Sequence, residues 1–179
     1  MRIYKSTLIF LLFTLFGCNS YAQQVFVLAV GVSDYPGTRN DLRLPTNDAT
    51  AIIDLYKNNS SATTKLLLNE DATYIAITNA AKSLYKSAGP EDIVVFYFSG
   101  HGQPSGFNAY DKPLDYGTLK EIFANCQSKH KMIFAVSCFS GKLRDAKDKS
   151  TSSAKDIDLM LFLSSRHNEA SIERPQMEN

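Results

Sequence analysis

The chain has 179 residues, of which 44% are hydrophobic and 21% are charged, a composition typical of a globular domain and unlike that of a disordered chain. That length is enough for one domain with a substantial core and is marginal for two. Nineteen basic residues against 18 acidic ones leave a net charge of +1. A general nucleic-acid-binding surface needs a clearly basic footprint, so the charge balance argues against that class of function.

Residues 1–22 predict a secretory signal peptide. A positively charged start precedes a short apolar run over residues 8–16, and Ser20 and Ala22 supply the small side chains of a cleavage site. The apolar run is too short to span a bilayer. We therefore expect cleavage after Ala22, a secreted or periplasmic protein, and a mature domain over residues 23–179.

Cys18 gives an alternative location. Residues 15–18 are similar to the lipid-attachment sequence of bacterial lipoproteins, in which the cysteine is lipidated and anchors the protein outside the cytoplasm. Phe16 fits that pattern poorly, so we favour export without an anchor. Removal of the leader leaves 17 basic residues against 18 acidic ones and two cysteines, Cys126 and Cys138, which are too few for a disulfide scaffold.

Strands and helices are predicted to alternate along the mature chain. The first and third strands are continuous apolar runs, typical of strands buried on both faces. The alternation predicts an α/β three-layer fold, in which helices cover both faces of a mostly parallel sheet. We expect strands over residues 25–32, 65–68, 93–98, 132–136 and 159–163.

Apolar residues spaced three and four apart predict three helices between these strands. Thr46, Asp71 and Thr118 are the expected N-caps, and Thr118 forms a capping-box pattern with Glu121. Cys126 lies on the apolar stripe of the third helix, so we expect it in the core.

Three polar side chains follow strands at one edge of the expected sheet: Asp34 after the first, His101 after the third and Cys138 after the fourth. Ligand sites gather in the crevice beyond the carboxyl ends of parallel strands. We therefore expect His101 and Cys138 to meet, although they lie 37 positions apart in the chain. Asp34 precedes Tyr-Pro-Gly, which is typical of a turn former, and is also a candidate for ordering the cleft.

A histidine beside a cysteine supports nucleophilic catalysis. A free thiol, with a pKa of about 8.5, is mostly protonated at neutral pH, and an imidazole can take that proton and later return it to a leaving amine. Gly100 and Gly102 leave room for a substrate backbone to approach nearby N–H groups. Metal-ligand spacings and a phosphate-binding glycine loop are not found, so we expect no metal and no cofactor.

The motifs YFSGHG (97–102) and SCFSG (137–141) resemble the histidine and cysteine motifs of the caspase-like cysteine peptidases, which include caspases, metacaspases and orthocaspases. GVSDYPG, LPTNDA and LFLSSRHNEASIE are also similar to this family, so the resemblance covers about residues 25–173. It implies a caspase-like (Rossmann-like) αβα sandwich and a cysteine endopeptidase acting on peptides or proteins. His101 would be the general acid/base, Cys138 the nucleophile, and the N–H groups of Gly102 and Cys138 the oxyanion hole.

The resemblance also implies roles outside the dyad. The charged, Ser-rich segment 142–158 falls where the family has an intersubunit linker, and we expect it to be a flexible loop with basic residues at which the enzyme could process itself. Ser164 and Ser165 would border the substrate cleft, and Glu169 and Glu173 would bind a basic substrate side chain. Val136 departs from the family, because metacaspases usually have an Asp at that position for binding a basic substrate residue.

The family continues with another strand and helices beyond the point where this sequence stops. We therefore expect a C-terminally truncated chain, completed by a missing C-terminal segment or subunit or by a second copy. The expected partners otherwise are peptide or protein substrates, with no nucleic acid and no membrane unless Cys18 is lipidated. A catalytically silent caspase-like module, used for binding or scaffolding, is the alternative function.

Overall fold

The computed structural model describes residues 22–146 and 158–169 of the chain. Within those residues, eight strands and three α-helices follow one another: β1 (Val25–Gly31), α1 (Pro45–Tyr56), β2 (Ala62–Leu68), α2 (Tyr74–Lys86), β3 (Ile93–Ser99), β4 (Gly102–Gln103), β5 (Gly106–Asn108), β6 (Pro113–Asp115), α3 (Tyr116–Ala124), β7 (His130–Val136) and β8 (Leu159–Leu163). The predicted leader, with Cys18, lies outside the described residues, and no helix among the described ones could cross a membrane.

The main sheet of the described residues is parallel throughout, with the strand order β2-β1-β3-β7-β8. The strands β4, β5 and β6 form a small antiparallel sheet beside it. All five predicted strands are confirmed, although β2 and β7 begin two or three residues earlier than expected. The strands β1 and β3 are buried along almost their whole length, as their continuous apolar sequences predict.

Alternate residues of the central strands face two separate cores. Leu28, Phe96 and Ile133 pair across three strands and pack with apolar residues of α2 and α3. Ala29 and Tyr97, one position further along, face the opposite side and pack against α1. Helices therefore cover both faces of the sheet, which confirms the α/β three-layer fold.

Two predicted helix starts are wrong by two residues. The helix α1 begins at Pro45, whose fixed φ suits the first helical position, and Thr46 lies inside the helix with its hydroxyl against Ser33. Asp71 closes a short 3₁₀ turn, and the N-cap of α2 is Thr73, whose side chain accepts a hydrogen bond from the Ala76 N–H. Several residues with capping side chains compete in such segments, and the tertiary contacts select one of them.

The capping box expected at Thr118 is also wrong, because α3 begins three residues earlier. Asp115 is the N-cap, and one of its carboxylate oxygens accepts a hydrogen bond from the Thr118 N–H at 2.9 Å. Its other oxygen accepts from the Thr118 hydroxyl, also at 2.9 Å. Thr118, the predicted N-cap, is thus the residue that donates both hydrogen bonds to the actual N-cap, Asp115.

We expect Asp115→Ala to lower the free energy of unfolding by about 1 kcal/mol, the usual cost of losing an N-cap. Urea unfolding with an unchanged m-value would measure this loss. Asp54→Ala is the control, because Asp54 lies in an exposed ion pair with Lys57 on the surface of α1 and should contribute less. Equal losses in the two variants would contradict the assignment of the cap.

The predicted flexible loop, residues 142–158, begins with regular structure. Residues Ser140–Arg144 form a 3₁₀ helix, and the Leu143 side chain is fully buried in the larger core. The segment has few apolar residues, so its sequence gives no pattern that would predict the burial of Leu143. Residues 147–157 of that predicted loop lie outside the described residues.

Candidate active site

The turns after β3 and β7 lie in contact at the carboxyl edge of the sheet. Ser99 pairs with Val136, and the Gly100 N–H donates to the Val136 carbonyl at 3.2 Å. His101 and Cys138 each follow two residues beyond that pair. A Cβ atom on Gly102 would lie 2.1 Å from the Ser137 Oγ and 2.4 Å from the Cys138 carbonyl oxygen. The histidine turn therefore fits against the cysteine turn only because glycine occupies position 102.

A backbone carbonyl fixes the His101 ring. The Nε2 atom lies 2.8 Å from the Asn40 carbonyl oxygen, in the turn Thr38–Asn40 after β1. A carbonyl oxygen can only accept, so Nε2 carries the proton in this hydrogen bond. In the neutral ring, Nδ1 is then the basic nitrogen, which is the form that a general base requires.

Hydrogen bonds also hold the backbone of His101. The His101 N–H donates to the Tyr35 hydroxyl at 2.9 Å, and the His101 carbonyl accepts from the Asn108 N–H at 2.9 Å. The Tyr35 hydroxyl in turn donates to the Asn108 carbonyl at 3.1 Å. Tyr35, His101 and Asn108 thus form a closed set of three hydrogen bonds.

The cysteine turn has an uncommon backbone conformation. Phe139, directly after the partly buried Cys138, has a φ of 55° in the left-handed region, which a non-glycine residue rarely adopts. The Phe139 N–H donates to the Glu169 carbonyl at 3.0 Å, and its carbonyl accepts from the Tyr116 hydroxyl at 3.3 Å. Hydrogen bonds to both backbone polar groups of Phe139 therefore stabilise the turn that presents Cys138.

Tyr116 is a hydrogen-bond donor beside the cysteine. Its side chain is almost fully buried, and its ring packs edge-on against Phe107. Burial, together with the nearby Cys138, raises the pKa of Tyr116 to about 12. The hydroxyl consequently keeps its proton at neutral pH and can donate it to the Phe139 carbonyl.

Four serines join the cysteine turn to the segment that follows β8. The Ser165 hydroxyl donates to the Ser137 carbonyl at 2.8 Å and accepts from the Ser140 N–H at 3.1 Å. The Ser164 hydroxyl accepts from the Ser137 N–H at 3.0 Å. We call Ser137, Ser140, Ser164 and Ser165 the serine brace, because its bonds hold both ends of the cysteine turn.

Comparison with known proteins decides the family. The family model described as the caspase domain matches residues 24–178, which is most of the chain. The chain belongs to the caspase domain family. The family resemblance carried by the two motifs is therefore confirmed, and with it the assignment to a family of cysteine peptidases.

Two further comparisons agree with this membership. Metacaspase-1 of Candida albicans (strain SC5314 / ATCC MYA-2876) is 33% identical over 113 residues, which cover 51% of this chain and 25% of that protein. The chain thus spans about a quarter of the length of that curated relative. The crystal structure of protein GSU0716 from Geobacter sulfurreducens is similar in fold, with a TM-score of 0.57 and 19% identity over 66% of this chain and 52% of that one.

Three of the residues predicted to bind substrate, Asp34, Ser164 and Ser165, differ in their exposure and in their hydrogen-bond partners. Ser164 and Ser165 both belong to the serine brace, in which Ser165 is 8% exposed and Ser164 is an exposed residue. Asp34 is exposed, and its N–H donates to the Asn69 side chain at 3.1 Å, which fits a turn residue. Contact between substrate and any of the three stays a prediction.

Of the two acidic residues predicted to bind a basic substrate side chain, Glu169 is among the described residues and Glu173 is not. The Glu169 carboxylate lies 3.6 Å from the Arg166 guanidinium in an exposed pair, and its other oxygen accepts from the Arg166 N–H. Such a surface pair is weak, and binding of a substrate side chain by Glu169 stays a prediction. Glu173 lies outside the described residues, and Val136 is 43% exposed at the end of β7.

Tyr35, Asn40, Asn108 and Tyr116 were missed by the sequence reasoning. Each contributes a backbone carbonyl or a hydroxyl to a residue at least 23 positions away in the chain. Every residue has a backbone carbonyl, so the sequence does not indicate which carbonyls bind a distant residue. A tyrosine whose hydroxyl has such a role cannot be told by sequence from any other core aromatic residue. Among the described residues, no three His, Cys, Asp or Glu side chains lie close enough to hold a metal ion.

Proposed function

We propose that this chain is the catalytic domain of an exported cysteine endopeptidase, with Cys138 as its nucleophile and His101 as its general acid/base. The observation that carries the proposal is the contact between the two turns at Gly102, with the His101 Nε2 occupied by the Asn40 carbonyl. That arrangement leaves the second ring nitrogen for proton transfer. Membership of the caspase domain family supports the same chemistry.

Acylation begins when His101 Nδ1 takes the proton of the Cys138 thiol. The thiolate attacks the carbonyl carbon of the substrate, and the electron pair of the C=O bond moves to its oxygen, where the N–H groups of Gly102 and Cys138 would donate. Collapse of this intermediate breaks the C–N bond, and the imidazolium gives its proton to the leaving amine. A thioester between Cys138 and the acyl half of the substrate remains.

Deacylation uses the same two residues. His101 takes a proton from a water molecule, which attacks the thioester carbonyl, and the C–S bond breaks to release the carboxylate product. The proton returns to Cys138. Export through the predicted leader and self-processing within residues 142–158 belong to the same proposal, and mass spectrometry of the N-termini of the secreted protein and its fragments tests both.

The proposed nucleophile can be identified by covalent trapping. We expect peptide chloromethyl ketones with Arg, Lys, Asp or Asn next to the ketone to form an adduct on Cys138, because a peptide that occupies the cleft brings the ketone to the thiolate. Cys126 should stay unmodified in the folded protein, since it is 8% exposed and contacts the Tyr85 carbonyl in the core. Peptide mapping by mass spectrometry locates the adduct.

The controls for trapping come from the chain itself. Cys138→Ala should form no adduct at the cysteine turn, and unfolded wild-type protein should react with a simple alkylating agent at both Cys126 and Cys138. If none of the four peptides modified Cys138 in the folded protein while the unfolded protein reacted, the proposed endopeptidase would be wrong. The catalytically silent module would then be the better description.

A further inference from the structure

Building on the catalytic role proposed above for His101, we propose that Tyr35 is a positioning residue whose hydroxyl fixes the backbone of the catalytic histidine. Both backbone polar groups of His101 enter the closed set of hydrogen bonds: its N–H through the Tyr35 hydroxyl and its carbonyl through the Asn108 N–H. The Tyr35 hydroxyl also donates to the Asn108 carbonyl, so it links the two sides. Removing this one oxygen opens the set at two of its three bonds.

The same hydroxyl lies against Gly100. Gly100 has a φ of 154°, which residues with a side chain rarely adopt, and a Cβ atom there would lie 2.8 Å from the Tyr35 Oη. The hydroxyl therefore occupies the space that any other residue at position 100 would fill. The glycine before His101 is required by the backbone shape of the turn and by the oxygen that holds it.

One loop positions the histidine from two directions. Tyr35 holds the His101 backbone, and Asn40, five residues later, accepts from the ring at Nε2. The loop is itself fixed, since the Tyr35 N–H donates to the Asp41 carboxylate at 3.2 Å and the Leu42 N–H donates to the Ser33 carbonyl at 2.8 Å. A shift of this loop would move the backbone and the ring of His101 together.

The Tyr35 side chain is suited to this role. It is 7% exposed, and its ring lies 5.0 Å from the His101 ring with a 42° tilt between the planes. Burial raises the pKa of Tyr35 well above its ordinary value, so the hydroxyl stays protonated and can accept from one neighbour while it donates to another. Phenylalanine would keep the ring contact and lose both hydrogen bonds.

We expect Tyr35→Phe to lower kcat for peptide hydrolysis roughly 10- to 100-fold, because a small displacement of a catalytic group is costly. KM should stay within about twofold, since Tyr35 has no expected contact with substrate. Tyr85→Phe is the matched control. The Tyr85 hydroxyl is also buried and donates to the Val95 carbonyl at 2.7 Å, but it lies in the core beneath α2. That variant should be less stable and keep its kcat.

Amide hydrogen exchange provides a readout that needs no activity. In the full chain, Tyr35→Phe should speed exchange of the His101 amide relative to the amides of β1, and Tyr85→Phe should not. If wild-type protein neither hydrolysed peptides nor reacted with the peptide ketones, the proposed function would fail, and exchange alone would still decide whether Tyr35 positions the turn. An unchanged kcat in an active enzyme, or an unchanged exchange rate at His101, would overturn the role of Tyr35.

Discussion

We expect peptide hydrolysis to fall at least roughly 10³-fold when either Cys138 or His101 is replaced by alanine, and no further when both are replaced. Without the thiol there is no acyl-enzyme, and the histidine has nothing to activate. Without the imidazole, the thiol lacks its base and the leaving amine lacks its acid. The losses are therefore strongly non-additive, as expected for residues that act as a unit. Hydrolysis of peptides with Arg, Lys, Asp or Asn before the cleaved bond measures them and identifies the preferred residue.

The chain offers a second histidine and a second cysteine as controls. His130 lies at the start of β7, at the opposite edge of the sheet, and its exposed ring is 3.7 Å from the Glu91 carboxylate. Cys126 is buried in the larger core. We expect His130→Ala and Cys126→Ala to have the wild-type kcat when they are assayed at a temperature at which both variants are folded. Hydrolysis that survived in Cys138→Ala, or losses that simply added in the double variant, would contradict the dyad.

The fold could be predicted largely from the sequence because its strands are unusually hydrophobic. Val25–Gly31 and Ile93–Ser99 are buried on both faces, and continuous apolar runs of that length between turn residues have few other interpretations. The helix starts were less predictable. Near Asp71 and Thr118, several residues can cap a helix, and the choice depends on contacts that only the folded chain makes.

The candidate site was predicted from residue types that its proposed chemistry requires. His101, Cys138 and Gly102 lie in two short motifs at strand ends, and topology brings those ends to one edge. The contacts around the proposed dyad were not predictable in the same way. The Tyr35 hydroxyl reaches His101 from 66 positions away, and the Asn40 carbonyl reaches it from 61. Such contacts follow from loop conformations, which have no periodic sequence signal.

Separate segments position the two halves of the proposed dyad. The loop after β1 holds the histidine turn through Tyr35 and Asn40. The segment after β8 holds the cysteine turn through the serine brace. It also packs closely against Gly141, where a Cβ atom would lie 2.4 Å from the His167 backbone nitrogen. The supports of the two proposed catalytic residues therefore come from different parts of the chain.

Gly102 is where the two halves meet, and we expect Gly102→Ala to lower peptide hydrolysis by roughly 100-fold or more. The added methyl group would lie 2.1 Å from the Ser137 Oγ and 2.4 Å from the Cys138 carbonyl oxygen, closer than packed atoms allow. The Ser137 side chain could rotate away, but the Cys138 carbonyl belongs to the backbone of the proposed nucleophile itself. The two turns must then separate, which misplaces the thiol and the N–H groups expected to stabilise the oxyanion.

Gly89→Ala is the control for this substitution, because the nearest atom to its added Cβ would be an Asp92 carboxylate oxygen at an ordinary 3.4 Å. Circular dichroism and thermal unfolding establish that each variant is folded before rates are compared. Adding Ser137→Ala to Gly102→Ala removes the contact with the hydroxyl and leaves the contact with the carbonyl, so we expect the double variant to stay impaired. If Gly102→Ala hydrolysed peptides and formed the Cys138 adduct at the wild-type rate, the close approach of the two turns would not be needed for catalysis.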